Sequence, residues 1–165
     1  MKNIFLTLLI ASGISFTTQS QPTEFGADSF LAAGTLSNGK RIFMNDVNIK
    51  AVRDFSKAHS KAANVKWYGV RDGFIVNYTL KGVRSRAAYD VNGEWTYTLS
   101  WYDVFKLPPS VRHLVKSTYY DYKISLVIEI NNKKQKVYEV QMEDKSSFET
   151  VLVVDGEMQV KETIQ

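Results

Sequence analysis

Cysteine is absent from all 165 residues. This excludes disulfides, thiolate nucleophiles, cysteine-ligated metals and anchoring through an acylated N-terminal cysteine. Histidine occurs only at His59 and His113, with no carboxylate cluster at ligand spacing beside either, so no metal site is expected. No Gly-rich phosphate loop, nucleophile elbow or zinc-helix motif appears, and no cofactor is implied. Basic residues number 21 against 17 acidic ones, giving a net charge of +4 and a pI near 9.2. They are well mixed, with no Lys/Arg run of five or more, so the basic stripe expected of a nucleic-acid-binding protein is missing.

Long apolar runs are also scarce. The one that stands out, Ile4 to Phe16, follows Lys2 and precedes the small residues Thr18 and Ser20. It falls short of the roughly 20 apolar residues that cross a bilayer and has the layout of a secretory signal peptide. Residues 1–20 are therefore expected to be cleaved, with no membrane span afterwards. Removal of 20 residues from 165 leaves 145, enough for one domain with a core that needs no staples.

Residues 21–45, broken by Gly26, Gly34 and Gly39, read as a partly disordered N-terminal arm in which Asn38-Gly39 is a turn signal. Beyond it, residues 48–61 read as a helix. Asn48 or Asp46 supplies the cap, and Ile49, Val52 and Phe55 form the stripe. Four strands follow over 64–102, separated by Asp72-Gly73, Lys81-Gly82 and Asn92-Gly93. These are hairpin signals, because glycine supplies the positive φ of tight turns. A second helix is predicted over 108–119, with Pro108-Pro109 in its first turn. Strands return at 123–131, 136–143, 148–154 and 157–164.

Helix and four strands, then helix and four strands again, is an internal repeat, 46–104 and 105–165. Val91-Asn92-Gly93-Glu94 matches Val154-Asp155-Gly156-Glu157. The expected architecture is α+β: tandem α-β4 units forming one antiparallel eight-stranded sheet with helices packed on one face.

Alternation then predicts what each face carries. One face collects Trp67, Val76, Tyr78, Tyr89, Trp95, Tyr97, Leu99 and Trp101, continuing with Ile124, Leu126, Ile128, Ile130, Tyr138, Val140, Leu152, Val154 and Met158. This is the core side. The other face is more polar, with Lys66, Tyr68, Arg84, Arg86, Thr98 and Tyr102 in the first half. In the second half it has Glu129, Glu139 and Glu149, with Val127, Val137, Val151 and Val153 interspersed. Lys66, Tyr68, Arg84, Arg86, Glu129, Glu139 and Glu149 are accordingly the candidate binding residues, basic at one end and acidic at the other. Such a pattern can orient a protein partner, or can be ordinary solvated strand positions with weak ion pairs.

Several segments together resemble a known family. They are Val65-Lys66-Trp67-Tyr68, Tyr89-Asp90 with Asn92-Gly93-Glu94-Trp95, Leu107-Pro108 with Val111 and Val115, Tyr119 to Ile124, and the ending Val154 to Met158. Their order and spacing resemble the exported PepSY-like, β-lactamase-inhibitor-protein-like (BLIP-like) domains of Gram-negative bacteria, over about residues 46–164. The resemblance implies a curved eight-stranded sheet, no established enzymatic activity and mostly no known ligand. In the inhibitors it implies a sheet face that clasps a protein. Their disulfides are missing here, and lactamase inhibition is not carried over. The functional expectation is an exported, non-enzymatic binding or regulatory module acting on an unidentified periplasmic or secreted protein. The alternative is a periplasmic small-molecule or glycan-binding protein with its ligand between sheet and helices or on Tyr68 and Tyr102.

Overall fold

The computed structural model describes residues 39–164. The proposed signal peptide and most of the arm lie outside them. Strand β1 (Lys40–Arg41) and a 3-10 turn (Met44–Asp46) lead into helix α1 (Ile49–Ala58). Asn48 caps it as expected, its side chain accepting a hydrogen bond from the Lys50 backbone N–H at 3.0 Å. Strands β2 (Ala63–Val70), β3 (Gly73–Leu80), β4 (Val83–Asp90) and β5 (Trp95–Tyr102) follow. After a second 3-10 turn (Val104–Lys106) come helix α2 (Pro109–Thr118) and strands β6 (Lys123–Asn132), β7 (Lys136–Glu143), β8 (Phe148–Val154) and β9 (Glu157–Ile164). Pro109 opens α2, where its missing N–H costs nothing.

The strands form a single open antiparallel sheet in chain order, β1 to β9. Among the described residues the α+β expectation thus holds as one sheet with two helices, but that sheet has nine strands, not eight. The extra strand is β1, which pairs Lys40 with Gly69 and Arg41 with Tyr68. It falls inside the segment read as an arm because two residues are too few to show alternation.

Each helix covers its own part of one sheet face. Ala51 and Phe55 of α1 pack on Trp67, Val76, Tyr78 and Tyr89, with the Phe55 ring edge-on to Trp67 at 5.6 Å and to Tyr78 at 5.0 Å. Val111 and Val115 of α2 pack on Ile124, Val127, Val140, Met142, Val151 and Val153.

The assignment of residues to faces needs correction from β5 onward, and β-bulges supply much of the reason. Tyr89 pairs with Trp95 but Ala88 with Tyr97, so Thr96 is the extra residue. Its hydroxyl donates to the Ala88 carbonyl at 3.0 Å. A bulge advances the strand by one residue and exchanges its faces. Trp95 stays on the helix side, while Tyr97, Leu99 and Trp101 turn away and Thr98, Ser100 and Tyr102 turn in. Ser125 does the same in β6, where Ile124 pairs with Met142 but Leu126 with Gln141. Consequently Leu126, Ile128 and Ile130 face away from the helices. Val127 and Glu129 face them. Across β8, Val151 and Val153 take the helix side and Leu152 and Val154 the reverse.

The reverse face is therefore not uniformly polar. Leu99, Ile128, Ile130, Val137 and Leu152 form a third apolar cluster there, flanked by Tyr97, Trp101, Leu126 and Val154. The second half of the sheet is apolar on both sides.

Candidate functional site

The helix-free face is built in cross-strand rows. One runs Lys66–Asn77–Arg86–Leu99–Ile130–Val137 and the next Thr79–Arg84–Trp101–Ile128–Glu139–Leu152. Of the seven candidate residues, Lys66, Tyr68, Arg84 and Arg86 gather on the first half of this face. Lys66 and Arg84 are exposed, and Tyr68 and Arg86 are half-buried. Among the described residues, these rows carry no carboxylate between β2 and β5. Both guanidinium groups lie over the Trp101 ring, 5.3 Å and 5.8 Å from its centroid, within the range of cation–π attraction. Arg86 Nε also donates to Asn77 Oδ1 at 2.9 Å.

The acidic half of the expected pattern is corrected. Glu139 does lie on this face, but it is only 1% exposed. Lys161 Nζ sits 3.3 Å from its Oε2, and Gln141 Nε2 donates to its Oε1 at 3.2 Å. It is an internal ion pair, not a free anionic contact. Glu129 and Glu149 point to the helix side. Glu129, which pairs with Ser100 and Tyr138, accepts from Tyr102 OH at 3.0 Å and has Lys136 Nζ at 3.7 Å. Burial, then Glu129, raises the Tyr102 phenol to about 12. Glu149 accepts from Thr163 Oγ1 at 2.8 Å.

Sequence alternation missed Trp101 as a face residue, since Trp95, Tyr97, Leu99 and Trp101 share one parity and only the bulge separates them. Trp67, read as core, is core. It is 5% exposed and packs 5.8 Å from Tyr89. Among the described residues no group of three or more His, Cys, Asp or Glu could hold a metal ion, and no helix is long and apolar enough to cross a membrane.

No protein-family profile matches this chain, and no curated relative does either. Solved structures do. A BLIP-like protein from Bacteroides fragilis superposes with a TM-score of 0.58 at 16% identity, covering 72% of this chain and 85% of that one. The fold is BLIP-like. A DUF2874 family protein from Bacteroides ovatus gives a TM-score of 0.54 at 18% identity, covering 67% and 85%. A Bacteroides eggerthii protein, named provisionally as periplasmic, gives 0.54 at 14%, covering 72% and 88%. At these identities the likeness concerns the shared BLIP-like fold.

Proposed function

We propose that this BLIP-like chain is an exported, non-enzymatic binding module that contacts another protein through the first half of its helix-free face. The single observation that carries the reading is the grouping of Trp101 beneath Arg84 and Arg86, on the same face as Lys66, Tyr68 and Tyr97. Trp, Tyr and Arg are the residue types that dominate interface energetics. With three cations and no described carboxylate in the β2 to β5 part of those rows, the complementary partner surface presents carboxylates around an apolar centre. Export follows from Lys2 and the run Ile4–Phe16, and the provisional periplasmic naming of a structural neighbour agrees with it. Placement in the PepSY-like branch belongs to the same proposal and rests on the sequence segments alone.

A photo-crosslinking residue placed at Tyr68 or Thr79, compared with one at Ser117 on α2, tests the reading in the producing cell. One dominant protein adduct from the sheet positions, absent from Ser117 and lost in the folded R84E/R86E double variant, is expected. Equal adducts from both sides, or adducts unaffected by the charge reversal, contradict it.

A further inference from the structure

The helix side carries a feature that packing alone does not call for. Between the sheet regions covered by α1 and α2, one cross-strand row reads Tyr78–Ser85–Ser100–Glu129–Tyr138 over β3 to β7. Ser85, Ser100 and Glu129 are 4%, 8% and 8% exposed. Burying hydroxyls and a carboxylate at the middle of a sheet is costly unless each finds a partner, and apolar residues at these positions would simply have extended the two cores. Instead the first four residues of the row, Tyr78 to Glu129, line a cleft of about 540 Å³, within the size range of small-molecule sites.

Its chemistry is mixed in a specific way. The Ser85 and Ser100 hydroxyls sit 3.0 Å apart, and either can donate. Asn131, beside them, brings both an amide donor and a carbonyl acceptor, and Glu129 brings acceptors. The Tyr78 and Tyr102 rings form walls, and Lys81 and Lys106 stand at the rim. His59 Nε2 lies 3.3 Å from Tyr78 OH, while its Nδ1 is buried with no hydrogen-bond partner.

Charge narrows the ligand class. An anion would meet the Glu129 carboxylate at the floor. A cation would pass Lys81 and Lys106, and would compete with Lys136 and Tyr102 for Glu129. A neutral ligand whose groups each donate and accept avoids both conflicts. Vicinal hydroxyls on an apolar ring do this, and aromatic walls suit the ring faces. We infer that the cleft between the two helix-covered halves binds a small, neutral, polyhydroxylated ligand of mono- or disaccharide size. This site is separate from the helix-free face, so either can fail without the other.

The exported protein, isotopically labelled, would be titrated by NMR with glucose, galactose, N-acetylglucosamine, maltose and cellobiose at millimolar concentration, and in parallel with spermidine and inorganic phosphate. Saturable shifts of the Ser85, Ser100 and Asn131 amides with at least one sugar are expected. In S85V/S100V the affinity should fall by about tenfold or more. That variant removes both members of the Ser85–Ser100 pair together, and the Tyr78 hydroxyl, which also bonds Ser85, keeps His59 Nε2, so little folding stability is lost. E129Q, which keeps an acceptor, should retain part of the binding. Absence of shifts at these amides with all five sugars overturns the inference, as does sugar binding that S85V/S100V leaves intact. Preferential response to spermidine or phosphate overturns the ligand class.

Discussion

Replacing Lys161 by Met should be among the most damaging single changes near the surface of this protein. Glu139 is 1% exposed and lies between Ile128 and Leu152 in its row. Lys161 Nζ, at 3.3 Å, is the cation that answers it, and its own side chain is 23% exposed. Removing one partner of a buried pair typically costs about 3–5 kcal/mol, because a buried charge is left uncompensated. The hydrogen bond from Gln141 survives the change, which places the expected loss at the lower end, about 3 kcal/mol. For the 126 residues from 39 to 164, 1 kcal/mol moves Tm by about 4 °C, so K161M should lower Tm by roughly 12 °C. E139L/K161M should recover most of this, since an apolar pair beside Ile128 and Leu152 carries no desolvation penalty and such replacements are often neutral or stabilising. Urea unfolding of the two singles and the double closes the cycle. A K161M loss under about 1 kcal/mol, or a double variant less stable than K161M, would refute the claim that Glu139 is held by burial and pairing.

Two of the hairpin glycines give a matched comparison. Gly93 (φ +80°) and Gly156 (φ +84°) both take the left-handed region, costing about 1–2 kcal/mol for any other residue. Only at Gly93 would a Cβ also meet the α1 cap, at 2.9 Å from the Ala51 amide and Asn48 Oδ1, so G93A should lower Tm clearly more than G156A. Burial holds the His59 pKa below 6.5, opposed by Asp54. The unfolded chain therefore binds that proton more readily, and the stability His59 contributes is present above its unfolded pKa and lost as pH falls below it. Urea midpoints on either side of pH 6.5 should show the loss, and H59Q should flatten it. Tyr78 and Tyr102 are both raised to about 12, chiefly by burial, so stability should fall as pH rises from about 10, the unfolded tyrosine value, towards 12. Ultraviolet titration should show E129Q bringing Tyr102 part of the way back towards 10, with desolvation retaining the rest.

Element boundaries were legible because turn chemistry punctuates this chain clearly. The turn signals Lys81-Gly82 and Asn92-Gly93 bracket β4, Val83–Asp90, closely. Both helices lie inside their predicted spans. Faces were legible only up to the first bulge of the central strands. Nothing in Trp95-Thr96-Tyr97 marks Thr96 as the extra residue, and the shift puts Trp101 and Tyr102 on sides opposite to those alternation assigns. The matching Val-Asx-Gly-Glu segments conceal a related difference. Val154 pairs directly with Glu157 across a two-residue turn, whereas Asp90 bonds Glu94 across a three-residue loop. In β8 the ambiguity is intrinsic, since Val151 to Val154 is apolar at both parities and a strand buried on two sides loses its alternation. The one legible hint of the polar cleft was Ser85, a hydroxyl interrupting the apolar parity of Val83, Ala87 and Tyr89.

Strand β4 joins the two proposed sites and also lets them be separated. Arg84 and Arg86 project to the helix-free face and Ser85, between them, to the helix side, as their partners Trp101, Leu99 and Ser100 do. Consecutive residues of one strand therefore serve opposite surfaces. R84E/R86E should weaken protein capture and leave sugar-induced shifts at Ser100 and Asn131 in place, and S85V/S100V should do the reverse. A ligand in the cleft could change partner affinity through β3, β4 or β5, since Tyr78, Ser85 and Ser100 of the cleft alternate along those strands with Asn77, Arg84, Arg86 and Trp101 of the helix-free face. Linkage then requires reciprocity: any factor by which the sugar alters partner affinity must equal the factor by which the partner alters sugar affinity. Partner affinity left unchanged by saturating sugar would show that the two surfaces are not coupled through these strands.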